Sequence, residues 1–156
     1  LKVSSKNVHA YIMGEHGDSS FVPWNHANVG CKKMVEIMKD NKHPMSDLEK
    51  IYTEVQQAAY EIINRKKATY YGIGLGLTKI IKAILNDQNE IMTVSTYLKG
   101  EYGHEGLYIG VPTIINRKGA REVLELPLEG DEKEKFDKSC ETLMAMKDEI
   151  DKVIKG

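Results

Sequence analysis

The chain has 156 residues, 41% apolar and 29% charged, enough for one folded unit with a buried core and unlike a disordered tail, a collagen repeat or a disulfide-stapled miniprotein. Lys and Arg number 22 against 23 Asp and Glu, a net charge of −1, so no broad field draws it to nucleic acid or anionic membrane. Any ligand must be caught at a local site.

In chain order, residues 8–13 form an apolar-rich run closed by Gly14 and predict a buried strand entering the loop 14–20, where Gly14 and Gly17 bracket His16. Residues 28–38 have helical character and lead into a polar linker, 39–44. Ser46 and Glu49 match a capping box, and Leu48, Ile51, Tyr52, Val55, Ala59, Ile62 and Ile63 then follow the three-to-four spacing of one buried helical stripe. A second apolar helix is predicted over 69–85, interrupted by Gly72, Gly74 and Gly76. The Thr and Val content of 91–98 favours a strand, and 107–115 and 122–126 read as two more, joined by a turn over 116–119. A long helix opens at Asp131, with Phe136, Cys140, Leu143, Ile150 and Ile154 at helical spacing. The expected fold class is a single compact α+β unit, a local antiparallel sheet packed with long helices.

Cys31 and Cys140 each fall in a stretch that reads as helical and show no C-x-x-C spacing, which predicts free thiols in a reducing compartment. No apolar run approaches the roughly 18 residues that span a bilayer, and residues 1–7 lack the features of a secretion signal. A soluble, cytoplasmic protein is expected.

The run Gly72-Ile73-Gly74-Leu75-Gly76 superficially suggests a dinucleotide fingerprint. That motif works where glycines turn a strand into a helix and bring a pyrophosphate against helix amides; here a helix precedes it and the third glycine is missing. Close helix packing is the plainer role. Of the five histidines, His16 stands out because it follows an apolar strand between two glycines, where missing side chains leave room for a small substrate. Imidazoles as a class exchange protons near neutral pH, which suits transfer to or from a carbonyl oxygen. A metal set of His9, Glu15 and His16 is disfavoured, since neighbouring strand residues point to opposite faces and the spacing is not helical.

The run from Val8 to Ser19, with Gly14-Glu15-His16-Gly17-Asp18-Ser19 at its end, resembles the active-site strand and loop of L-lactate dehydrogenases. Ala59-Tyr60-Glu61-Ile62-Ile63, Lys67-Ala68-Thr69, Gly72-Ile73-Gly74, Val94-Ser95-Thr96, Gly100-Glu101-Tyr102-Gly103 and Gly110-Val111-Pro112 follow in that family's order. The likeness covers nearly the whole chain, and Glu15 favours the lactate branch over malate dehydrogenases, which usually carry glycine there.

The resemblance implies that residues 1–156 are the C-terminal, substrate-binding domain of a longer NAD-dependent enzyme whose N-terminal Rossmann domain is absent from this chain. It implies that His16 is the proton donor and acceptor in interconversion of pyruvate and L-lactate, that Thr69 lines the substrate pocket, and that Ile73 packs on the nicotinamide. Taken alone, Thr69 reads as a helix-surface threonine and Ile73 as a core isoleucine. His9 falls where allosteric bacterial members bind fructose 1,6-bisphosphate, though a structural strand histidine fits as well. The family also implies a cytoplasmic, glycolytic homotetramer without metal.

The family's carboxylate-binding arginine and the aspartate that orients its histidine both precede this motif, and Arg65, Arg117 and Arg121 match neither. The chain begins at Leu1, which agrees with a fragment, and alone it is expected to be inactive and prone to associate. Rival readings are a malate or branched-chain 2-hydroxy acid dehydrogenase domain, or a non-catalytic oligomerisation module of the same fold.

Overall fold

The computed structural model describes residues 1–155, with side chains through Ile154. Two small antiparallel sheets and four α-helices make up the described chain. One sheet orders β1 (Val8–His9), β2 (Asn28–Val29) and β3 (Lys32–Lys33); the other orders β4 (Glu90–Lys99), β5 (Glu105–Asn116) and β6 (Gly119–Val123). The helices are α1 (Met34–Asp40), α2 (Ser46–Lys66), α3 (Tyr71–Leu85) and α4 (Asp131–Lys155). This is the expected α+β class.

Strand β5 organises the domain because its alternation separates two environments. Leu107, Ile109 and Val111 are buried and join Met13, Phe21, Leu98, Tyr102, Phe136 and Cys140 in the main core, beneath α4. Phe136 stands at the centre of the ring contacts, 4.6 Å from Tyr102 and 6.5 Å edge-on from Phe21. Burying such a ring contributes about 1.5–3 kcal/mol. Ala83 of α3 closes a second cluster with Met92 and Ile115. The intervening residues Tyr108 and Gly110 project the other way and pair with Tyr97 and Ser95 of β4. That face carries the cleft described below.

Several local expectations need correction. The predicted strand 8–13 pairs regularly only at Val8 and His9; Met13 and Gly14 then bridge singly to Phe21 and Gly110, because the chain is crossing from one sheet to the other. Residues 28–38 are not one helix but a hairpin followed by the short α1, since a turn at Gly30 and Cys31 reverses the chain. Cys31 therefore sits exposed in a turn, whereas Cys140 is buried in α4.

Helix α2 starts at Ser46 as read, but no capping box forms. Met45 is already in the right-handed helical region, and Asp47 and Leu48 donate to the carbonyls of Pro44 and Met45, so the Ser46 hydroxyl has no open first turn to close. Only Leu48 of the predicted stripe is buried; Ile51, Val55, Ile62 and Ile63 are exposed. Strand β5 runs on to Asn116, the turn shrinks to Arg117 and Lys118, and β6 ends at Val123 rather than continuing to 126. Beyond it Leu126 donates to the Tyr102 hydroxyl at 2.9 Å instead of to a strand.

Candidate active site

The His16 loop leaves Met13, whose amide donates to Phe21 at 2.8 Å and whose carbonyl receives the Phe21 amide at 3.0 Å. Gly14 and Gly110 exchange a second such pair, fixing the loop's entry on the middle of β5. On the far side, Tyr52 of α2 donates to the Ser20 carbonyl at 2.5 Å, and its oxygen lies 2.7 Å from the Ser20 hydroxyl. Burial pushes the Tyr52 phenol above its ordinary pKa, against the opposing hydrogen bond with Ser20. Between these anchors the His16 side chain is exposed.

His16 lines a cleft of about 690 Å³ with Tyr11, Ile12, Thr93, Ser95, Tyr108 and Gly110 among its walls. The wall is apolar with a few hydroxyls, the composition of a small-molecule site. Imidazole here could exchange a proton with a carbonyl or hydroxyl oxygen seated in the cleft.

The other candidates lie elsewhere. Thr69 is half-buried in the connection between α2 and α3, not on a helix surface, and Ile73 is 56% exposed on α3, not in the core. Neither lines the His16 cleft. His9 is exposed on β1 and borders a separate cleft of about 750 Å³ with Lys6, Lys79 and Glu90. Lys79 is paired with Glu90 at 2.9 Å. Among the described residues no three His, Cys, Asp or Glu side chains converge as metal ligands, and no helix is long and apolar enough to cross a membrane.

For a dinucleotide the fit is partial. Gly72, Gly74 and Gly76 lie inside α3 with open space around them, so they make neither a phosphate cradle nor a close helix contact within this chain. Ile73 offers an apolar surface, and the three arginines stay out of the His16 cleft. Arg65 pairs with Glu61, and Arg121 bonds Asn89 and Glu122.

The structure also corrects the reading of the loop's glycines and adds a residue the sequence reading missed. Gly14 has φ +99, and a Cβ there would lie 2.6 Å from the Ser139 hydroxyl oxygen; a Cβ at Gly17 would lie 2.1 Å from a Glu15 carboxylate oxygen. The space they leave is filled by Ser139 and Glu15, not kept open for substrate. Ser139 is fully buried on α4. The available signal was a small polar residue between Phe136 and Cys140 on the helix's buried face.

A cleft bearing a loop-borne imidazole on an α+β domain is the candidate active site of this chain. Residues 1–154 match the lactate/malate dehydrogenase alpha/beta C-terminal domain, and the chain belongs to that family. It is 51% identical over 144 residues to L-lactate dehydrogenase 1 of Bacillus cereus, covering 92% of this chain and 46% of that protein. It is 52% identical over 146 residues to L-lactate dehydrogenase of Macrococcus caseolyticus, covering 94% and 46%. The minor L-lactate dehydrogenase of Enterococcus mundtii superposes with a TM-score of 0.90 at 46% identity, covering 95% of this chain and 48% of that one. The malate dehydrogenase of Aeropyrum pernix gives 0.82 at 31% identity, covering 92% and 46%. The chain thus spans about half the length of the curated relatives it matches.

Proposed function

We propose that this chain is the substrate-binding, C-terminal half of an NAD-dependent L-lactate dehydrogenase in which His16 gives a proton to the carbonyl oxygen of pyruvate and takes it back from L-lactate. The observation that carries the reading is the exposed His16 imidazole, on a loop pinned from both sides and facing a cleft with hydroxyl-bearing walls. The nicotinamide, when bound, supplies the hydride. His16 holds and moves the proton, while Thr93, Ser95 and the apolar side chains of the cleft surround the small acid and limit water. Thr69 is assigned to the substrate pocket and Ile73 to the nicotinamide once the missing half closes on this one; the exposure of Ile73 leaves it a free apolar face.

The carboxylate clamp and the partner that orients His16 belong to that other half, because no arginine lines the cleft. Glu15 supports lactate over malate as the product, as does the likeness to the L-lactate dehydrogenases of Bacillus cereus and Macrococcus caseolyticus. A cytoplasmic, glycolytic homotetramer goes with the same reading. His9 and Lys6, bordering one cleft, supply cationic and hydrogen-bonding groups for fructose 1,6-bisphosphate.

The test is pyruvate-dependent NADH oxidation by the protein from the full open reading frame that encodes this chain, with oxaloacetate and branched-chain 2-oxo acids compared. Expected is a preference for pyruvate and a kcat lowered about 10²–10⁴-fold by His16→Ala. An unchanged rate in that variant, or a reading frame with no nucleotide-binding half, overturns the proposal.

A further inference from the structure

The His16 loop contains a hydrogen-bond ring that the proton-transfer reading does not use. The Glu15 amide donates to the Ser139 hydroxyl oxygen at 2.5 Å, although the two residues stand 124 apart in the chain. The hydroxyls of Ser139 and Ser19 lie 3.1 Å apart, and the Ser19 hydroxyl donates to the Glu15 carboxylate at 2.5 Å. A hydroxyl carries one proton. Ser19 gives its proton to the carboxylate, so Ser139 supplies the one between the two hydroxyls. The bonds therefore run Glu15 amide to Ser139, Ser139 to Ser19, and Ser19 back to the Glu15 side chain. The Ser19 amide adds a longer contact to the same carboxylate oxygen at 3.3 Å.

The ring is tight and dry at its base. Ser139 is fully buried, and the absent side chains of Gly14 and Gly17 leave the volumes into which its hydroxyl and the Glu15 carboxylate fit. The Glu15 amide is held by Ser139, its carboxylate by Ser19 and its carbonyl by the Gly17 amide at 2.9 Å, which together restrain its backbone and hence the direction in which the next residue, His16, leaves the chain. We propose that Ser139 is a positioning residue for His16, acting from α4 through the Glu15 and Ser19 ring. The inference rests on the proton-transfer reading of His16. Reactions that hold acid and substrate in register lose about 10²-fold for a displacement of about 1 Å.

The experiment uses the full-length enzyme with Ser139→Ala, Ser19→Ala and the double variant, and reads kcat, KM for NADH and amide hydrogen exchange at Glu15. Ser139→Ala is expected to lower kcat about 10–100-fold, leave KM for NADH within about twofold, and abolish protection of the Glu15 amide. Ser19→Ala, which leaves no buried amide unpartnered, is expected to lower kcat less. The double variant is expected to match Ser139→Ala, because Ser19 acts on the loop through a ring that loss of the Ser139 hydroxyl has already opened at the Glu15 amide. Wild-type kcat in Ser139→Ala, or a double loss equal to the product of the single losses, overturns the proposal. If Ser139→Ala does not fold, Ser19→Ala decides: unchanged kcat with an unchanged Glu15 exchange rate overturns it. Should the wild-type enzyme not reduce pyruvate, the function reading falls by itself. Glu15 exchange then judges the ring alone, with loss of protection supporting it and retained protection in Ser139→Ala refuting it.

Discussion

Gly14 and Gly110 face each other so closely that each donates its amide to the other's carbonyl, at 2.9 and 3.0 Å, and a Cβ added to Gly110 would lie 2.8 Å from the Gly14 oxygen. The neighbour is backbone, so no side chain can swing aside. Gly110→Ala is therefore expected to destabilise the fold by about 1–3 kcal/mol, the usual cost of forced overpacking. The backbone of Gly110 is ordinary extended strand, which makes the effect steric rather than conformational. The midpoint of urea unfolding checks it; a midpoint equal to wild type would show that the loop docks on β5 less rigidly than these bonds require.

The second anchor predicts a smaller loss. Tyr52→Phe keeps the ring but removes the hydroxyl that donates to the Ser20 carbonyl and contacts its side chain. About 0.5–1.5 kcal/mol should go with it. Tyr60→Phe, at an exposed tyrosine of the same helix, is the control and should change nothing measurable. Equal midpoints for the two variants would remove Tyr52 from the loop's supports.

How much of this was legible depends on the reach of each interaction. Helix α2 was legible at Ser46 from the spacing of Ser46 and Glu49, although the capping box itself does not form, and α4 at Asp131 from its acidic opening, because each is followed by three-to-four apolar spacing, a local pattern. The same spacing misjudged burial on α2, where Ile51 and Val55 carry helical periodicity but face no partner within this chain. The segment 28–38 failed because its hairpin is decided by pairing with Val8 and His9, some twenty residues away, not by its own helix-compatible residues. His16 was legible from its flanking glycines, yet the reason for those glycines was not. It lies in Ser139, whose hydroxyl reaches the loop only after the sheet and α4 have formed.

Burial raises two acids that titrate in the alkaline range. Burial pushes the Cys140 thiol up to about 12 from an ordinary 9.0, and the Tyr102 phenol up to about 12 from 10.0. Both hold their protons more tightly folded than unfolded, so their contribution is whole below pH 9 and is lost as pH rises from 9 toward 12. The urea midpoint should fall as pH climbs above 9, and in Cys140→Ala the fall should begin about one unit later, where unfolded tyrosine starts to ionise. A thiol reagent gives the companion result. In the native protein Cys31, exposed in its turn, should react and Cys140 should not until denaturant is added. Rapid labelling of both thiols, or parallel pH profiles for wild type and Cys140→Ala, would contradict the buried, protonated thiol.

Helices α2 and α3 leave apolar side chains without cover: Ile51 and Val55 on the first, and Ile73, Leu75, Leu77 and Ile81 on the second, with Leu75 74% exposed. Monomeric proteins rarely leave contiguous apolar patches beyond a few hundred Å² in water, and a net charge of −1 provides little repulsion between copies. The 156-residue chain expressed alone should therefore associate as its concentration rises. Light scattering coupled to size exclusion measures this directly, and a double change of Leu75→Glu and Leu77→Glu should shift the distribution toward monomer, since glutamate is a good helix former and leaves α3 intact. Helicity by circular dichroism serves as the check on folding. A concentration-independent monomer in the unaltered chain would mean that these side chains are accommodated in water without a partner, and the open face would then say nothing about a missing half.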